Sequence, residues 1–538
     1  MRPSGRVYVG LALVRILIAA SSRSVIHPDE HFQNPEVAAQ LVFDYAPSGS
    51  LPLETWEWQT QQPCRSIAPL WISSALAFSL VGDNPSAETL FIAQRGVMLL
   101  LSFAIDVCIY AASKSLIALV LFASSPLALT FLIRPFSNSL ETFLLAVSLY
   151  FTSRILSHDK ALLVPLGALL ALGVWTRITF AAFASPLVVA IALHLAPRTV
   201  AWSSLSSLVK RGSPAVVSFS LTAFILAIID TRHFASSKSL ADIVLHPSRL
   251  VVTPFNLLRY NVSHSNLAQH GLHPRYLHAL VNLPMLFVLL ASFIIPVALL
   301  SIQPHQEPRF LVPLVIPLVL LAPQVDFLRA NRSNRATRHF WALWILHSAI
   351  FTAFFGYLHQ GGLVPTLLRL NRELRAPESP MLAGIETVEL VFWKTFMPPR
   401  HLVLPLTAKI DRACRRRNVS VTDLGSVSQA QMYSTLLAMA EPTTVRNSSS
   451  PSKTFIVSPS YLFDPLKFRV AGAEATTASG DPGLCFDRAL VGGNGHFWFE
   501  RGGTHVDMDR VGEMVEGYRT RGWNGLGMGV WEVRKCRE

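Results

Sequence analysis

Between residues 7 and 357 the chain alternates apolar stretches with short polar breaks. The stretches lie near 7–22, 67–82, 90–112, 115–133, 138–156, 161–177, 178–196, 213–230, 278–301, 310–323 and 339–357. Few folds are open to such a pattern. In hydrocarbon every backbone N–H and C=O has to find its partner inside the protein, so repeated apolar segments fold as spanning helices. A straight span takes ~20 residues. Several of these stretches are shorter, so tilted, merged or re-entrant segments are expected, and nine to eleven helices is the expectation. Only 15% of the residues are charged, against about 25% in soluble chains. The net charge of +13 does not point to nucleic acid, because the basic residues are scattered between apolar runs, where arginines flank membranes.

Charge in the breaks sets the sidedness. Arg2 and Arg6 precede the first apolar run, which reads as an uncleaved signal-anchor with a cytosolic N-terminus. The breaks 197–212 (Arg198, Lys210, Arg211) and 324–338 (Arg329, Arg332, Arg335, Arg338) are basic and read as cytosolic. The break 23–66 is acidic and carries Thr55-Trp56-Glu57-Trp58, which reads as lumenal and interfacial. From about Pro398 the apolar runs shorten. Lys453–Val457 and Val530–Val533 look like strands, and 443–452 looks like a loop. The reading is a mainly α, polytopic transmembrane helix bundle over 1–397 and a small α/β domain over 398–538. Sequons at Asn418 and Asn447 fit a lumenal C-terminal domain, although one at Asn331 falls in a break read as cytosolic. Of the five cysteines, Cys108 sits in an apolar run. Two among Cys414, Cys485 and Cys536 would pair in an oxidising lumen, in a combination the spacing leaves open. No CxxC spacing points to zinc.

Four polar clusters interrupt this background. The densest is His27-Pro28-Asp29-Glu30-His31-Phe32-Gln33, directly after the first apolar run. A carboxylate becomes a general base when its surroundings tune its proton affinity and a hydroxyl comes within reach. A solvated loop acid is the plainer alternative, and the crowding of titratable groups beside the bilayer argues against it. The second cluster is His305-Gln306-Glu307-Pro308-Arg309-Phe310, where a guanidinium fork with a nearby histidine suits a phosphate. The third runs from Thr253-Pro254-Phe255-Asn256 through His270, His273 and Arg275 to Tyr276, and reads as an amphipathic loop or a binding segment. The fourth comprises Arg134, Ser137, Asn138, Glu141 and Arg177, ionisable groups inside apolar runs, with an Arg134–Glu141 pair on one helix face as the simplest account. No phosphate-binding glycine loop and no nucleophile elbow appears, which disfavours a soluble sugar-nucleotide transferase.

His27-Pro28-Asp29-Glu30 after a first span, paired with His305 to Phe310, resembles glycosyltransferase family 22, the GT-C mannosyltransferases of the endoplasmic reticulum that use dolichyl-phosphate mannose. Within it, His27 to Gln33, Arg134 to Glu141, His270 to Tyr276 and His359-Gln360-Gly361-Gly362 are similar to the members that add a fourth mannose to the GPI anchor precursor. Trp393-Lys394-Thr395-Phe396-Met397-Pro398-Pro399-Arg400 adds to the likeness, which covers most of 7–425. Pro135 departs from the pattern, which has Thr there.

The resemblance implies a GT-C bundle in the endoplasmic reticulum membrane with a lumenal active site. It implies a glycolipid acceptor, a dolichyl-phosphate mannose donor, no metal and no cofactor. Asp29 would act as base, with Glu30 and His31 tuning it or orienting the acceptor, and His305 and Arg309 would hold the donor phosphate. Trp56, Glu57, Trp58 and Arg65 would line the acceptor side. His27, Gln33, Asn138, His270, His273, Arg275 and His359 would position the substrates. Competing readings are a sibling enzyme acting on the third GPI mannose or on the lipid-linked N-glycan precursor, a polytopic lipid transporter or scramblase, and a non-catalytic subunit. Protein partners and oligomeric state are open. A single run, 278–301, separates the third cluster from the second, so part of 251–276 is re-entrant or that run does not cross once.

Overall fold

The computed structural model describes residues 3–45, 55–196, 202–235, 250–262, 307–324, 335–376, 379–408, 417–440, 451–463, 484–488 and 504–536. The chain divides into two compact units. One comprises residues 1–20, 54–76 and 94–350, and the other 21–53, 77–93 and 351–538.

The first unit is helical. Among the described residues, four helices are long and apolar enough to cross a membrane: Ala87–Ser113, whose C-terminal part lies in this unit, Ser137–Leu156, Leu208–Phe234 and Arg335–Leu358, whose N-terminal part up to Ile350 lies in it. Shorter apolar helices, Ile67–Ser79, Lys160–Thr176, Phe180–Leu195 and Pro308–Leu321, account for the sequence stretches too short to span straight. The expected run 278–301 lies outside the described residues. The break expected at 197–212 is partly helical, because one helix runs from Trp202 to Phe234 and absorbs its basic end. Arg15 and Arg177, charged side chains buried inside the bundle, meet opposite charge. Arg15, on the helix Pro3–Ser21, donates to Asp106 at 3.0 Å and Tyr8 donates to the same carboxylate at 2.9 Å, so the arginine within the first apolar run is neutralised there. Helices pack closely where side chains are small. A Cβ on Gly167 would lie 2.1 Å from the carbonyl oxygen of Ala215, an approach only glycine permits.

The second unit is built on a mixed five-stranded sheet. After a short strand β1 (Phe43–Tyr45) come β2 (Thr387–Phe392), β3 (Leu406–Ala408), β4 (Asn418–Asp423), β5 (Ser452–Pro459), β6 (Leu484–Arg488) and β7 (Met528–Lys535). β1 pairs with β3, and the main sheet runs β4-β2-β5-β7-β6. β2 is parallel to β4 and β5, while β7 is antiparallel to β5 and β6. Alternation of side chains across the pleat sends Val388, Leu390, Phe392, Phe455 and Val457 to one face, where the helix Leu363–Arg375 covers them with Leu363, Leu367, Leu370 and Leu374. Val391, Ile456 and Trp531 go to the other face, under Met432 and Leu436 of the helix Gln429–Ala440. Burial on both faces explains why Lys453–Val457 and Val530–Val533 read as short apolar runs rather than alternating ones. The sheet begins earlier than the boundary at 398 that composition suggests: β2 starts at Thr387 and its covering helix at Leu363. Cys485 and Cys536 form a disulfide between β6 and the end of β7, which resolves the open pairing. Cys414 and most of the expected loop 443–452 lie outside the described residues.

Candidate active site

Residues Asp29–Phe32 form one helical turn after Pro28, whose ring suits a helix start. The turn sorts the two acids. Glu30 points inward and is wholly buried, with the amide of Ile26 3.4 Å from its Oε2. Asp29 stays partly open to solvent, at 27% side-chain exposure. Gln33, four residues on, donates from Nε2 to Asp29 Oδ2 at 2.6 Å, and His27 Nδ1 lies 3.5 Å from Oδ1. The more exposed of the two carboxylates is thus Asp29, contacted from both sides by residues of the same motif.

Behind the turn lies a buried layer that sequence reasoning missed. His31 is buried and its ring lies 5.7 Å from that of His401. His401 in turn meets Glu36 through Nδ1 at 2.6 Å, with its own amide 3.2 Å from the same oxygen. His401 adjoins the Trp393–Arg400 stretch, and Glu36 lies three residues past Gln33. Neither position carries a spacing that announces the other.

His359 belongs to the same unit. It ends a widened π-turn, Phe354–Leu358, and its Nδ1 lies 2.8 Å from the carbonyl oxygen of Val25. Ser24 Oγ donates to the Phe355 carbonyl at 2.6 Å. His359 therefore fastens the chain entering the Asp29 turn.

The remaining candidates that the structure describes belong to the helical unit. Trp56 stacks on Tyr260 at 4.1 Å, and Asn256 Nδ2 donates to the Pro63 carbonyl at 2.9 Å. Asp230 accepts from Ser66 Oγ and the Ile67 amide through one oxygen and from Thr253 through the other, which pins the end of this loop. Within the loop, Arg65 Nη2 donates to Glu57 Oε1 at 2.7 Å. Burial and the neighbouring Glu57 push the Cys64 thiol up to about 12, so it stays protonated. Asn138 is buried at the start of the helix Ser137–Leu156 and its Nδ2 lies 3.4 Å from Glu141 Oε2. The pairing of Glu141 differs from the simplest sequence account: its carboxylate meets Arg177 Nε at 3.4 Å and accepts from Thr179 at 2.7 Å, while Arg134 Nε donates to the Thr130 carbonyl. Arg177 sits in the break between two helices, where its extended backbone turns the side chain back toward Glu141. Arg309, in the tight turn Pro308–Leu314, pairs with Glu307. His305, His270, His273 and Arg275 lie outside the described residues.

Residues 6–295 and 285–405 match the Alg9-like mannosyltransferase family. The chain is 33% identical over 508 residues to GPI mannosyltransferase 4 of Emericella nidulans, covering 84% of this chain and 86% of that one. It is 30% identical over 523 residues to GPI alpha-1,2-mannosyltransferase 4 of Homo sapiens, covering 84% of each. Among solved structures it is similar to ArnT from Cupriavidus metallidurans bound to undecaprenyl phosphate, with a TM-score of 0.36 and 11% identity over 98% of this chain and 97% of that one.

Proposed function

The chain belongs to the Alg9-like mannosyltransferase family, and we propose that it adds a fourth, α1,2-linked mannose to the third mannose of a GPI anchor precursor, with dolichyl-phosphate mannose as donor. The observation that carries this reading is the similarity to GPI mannosyltransferase 4 over most of both chains. The multi-pass helical bundle agrees with lipid-linked substrates. The proposed location is the endoplasmic reticulum membrane, with the chemistry on the lumenal side.

Asp29 Oδ takes the proton of the acceptor C2 hydroxyl, and that oxygen attacks the anomeric carbon of the donor mannose. The bond from this carbon to the phosphate oxygen breaks, its electron pair leaves with the lipid phosphate, and the β-linked sugar becomes α-linked. The support for Asp29 over Glu30 as base is exposure together with the Gln33 and His27 contacts that aim it. Arg309 and His305 are assigned to the phosphate charge that develops as the bond breaks. Glu30 and His31 back the Asp29 turn from the buried side.

Microsomes carrying Asp29→Asn are expected to keep normal protein levels and to lose mannose transfer to a three-mannose GPI acceptor by about two orders of magnitude or more. Full transfer by that variant removes Asp29 from the base role. Transfer to the lipid-linked N-glycan precursor instead reassigns the acceptor.

A further inference from the structure

In the helical unit two guanidinium groups share one aromatic ring. Arg177 Cζ lies 5.1 Å from the centroid of Phe310 and Arg309 Cζ lies 5.8 Å from it. Arg65 and Arg309 are both close enough to act on the charge of Arg177, and Arg65 also acts on Glu141. Three like charges gathered in an interior call for compensation, and each has its own carboxylate: Glu57 for Arg65, Glu141 for Arg177 and Glu307 for Arg309. The formal charge is balanced, but the hydrogen-bonding capacity is not. Arg65 is 5% exposed and Arg177 is 7% exposed. Nε and Nη1 of Arg65 and Nη1 of Arg177 are nonetheless buried without an acceptor.

Leaving a buried donor unmade costs about 1–3 kcal/mol, and more for a charged group. Such a cost is tolerated where the donors serve something else. Buried guanidinium donors left over after ion pairing suit a tetrahedral oxyanion, because a planar N–H fork can take two of its oxygens. A neutral polar ligand matches only part of this set. The ion pairs already hold the two forks in place, so little ordering is left to do on binding.

We propose that Arg65 and Arg177, beside Phe310 and Arg309, form a binding site for the phosphate group of a lipid substrate. This deepens the reading above by adding two donors to the phosphate contact assigned there to Arg309, and it rests on that reading only in taking the anion to be a lipid's. The phosphate belongs either to the polyprenyl donor or to the inositol phosphodiester of the acceptor.

The test is equilibrium binding to the full-length protein in detergent, with geranylgeranyl phosphate, geranylgeraniol and phosphatidylinositol as probes. Arg177→Gln and Arg65→Gln are each expected to weaken one phosphate-bearing probe about 10- to 100-fold, the range that follows from losing a charged hydrogen bond. Binding of the alcohol should not change. Loss on geranylgeranyl phosphate identifies the donor phosphate, and loss on phosphatidylinositol identifies the acceptor's. Arg177→Lys keeps a cation for Glu141 but has no planar fork, so it carries the test if the glutamine variants unfold, and an intermediate loss is expected. Wild-type affinity for both phosphates, or an equal loss on the alcohol, overturns the site. None of these measurements needs mannosyl transfer, so a wrong acceptor or reaction leaves the outcome interpretable.

Discussion

His505 illustrates how a single residue couples to the conditions the protein meets. It is wholly buried, both ring nitrogens lack a hydrogen-bond partner, and its ring lies 6.3 Å from that of Tyr461. Burial, with His359 nearby, pushes its pKa down from 6.5 to about 3. The unfolded chain binds a proton here near 6.5 and the folded chain refuses it until about 3. Between those values the unfolded state holds more protons, so the stability contributed is complete above 6.5 and drains away as pH falls. The unfolding midpoint of the wild type is therefore expected to drop between about pH 7 and about pH 5 more steeply than that of His505→Phe, measured by thermal unfolding in detergent. Equal slopes would remove His505 as the cause. The residue scale is also where the sequence was least legible. The Asp29 turn was readable because its polar groups lie within seven consecutive positions. Glu36 and His401 were not, because they meet across 365 residues and nothing local marks either partner. Arg177 was visible as an intramembrane charge, but the sequence periodicity offered Arg134 to Glu141, and the helix break at Arg177 was needed to see the true pairing.

At the scale of elements, the turn 359–362 shows why a glycine sits where it does. Gln360 adopts a positive φ of 50°, and its amide donates to the Val506 carbonyl at 3.0 Å. A Cβ on Gly361 would lie 2.2 Å from the Tyr357 carbonyl oxygen and 2.5 Å from that of Thr504, and neither backbone group yields cheaply. Gly361→Ala must open the turn, at about 1–3 kcal/mol by analogy with overpacking. The turn carries His359, whose contact with the Val25 carbonyl holds the approach to Asp29. The variant is thus expected to lose mannosyl transfer in larger proportion than stability. Gly512→Ala is the control: nothing lies within 4 Å of its Cβ position, and the helix Val511–Arg521 should gain rather than lose. Matching behaviour of the two variants would mean that the turn is not what glycine serves. β5 and β7 were legible as elements because burial on both faces concentrates apolar residues in a short run. β2 was missed because it precedes Trp393–Arg400, the stretch where composition changes, and so was counted with the membrane part.

The whole molecule joins an apolar helical unit to a sheet unit stapled by Cys485–Cys536. Disulfides persist in oxidising compartments and are kept reduced in the cytosol. The bond therefore supports the proposed lumenal position of the sheet unit independently of the sequons, one of which fell in a break read as cytosolic. The bridge also closes a long stretch of chain, with a separation of 51 residues, which on the chain-entropy view stabilises the folded unit by about 4 kcal/mol. Two results should follow in sealed microsomes. Protease added outside should leave the sheet unit intact until detergent opens the vesicle, as read by an epitope after residue 538. A thiol reagent should label Cys485 and Cys536 only after both detergent and a reductant are supplied. Cys485→Ser should then make the sheet unit protease-sensitive at a lower temperature in opened vesicles, because the stabilisation lost is a sizeable part of the 5–15 kcal/mol that a domain usually has. Cleavage in sealed vesicles would place the sheet unit in the cytosol. The Asp29 turn shares a compact unit with that sheet, so such cleavage would also move the proposed base away from a lumenal acceptor.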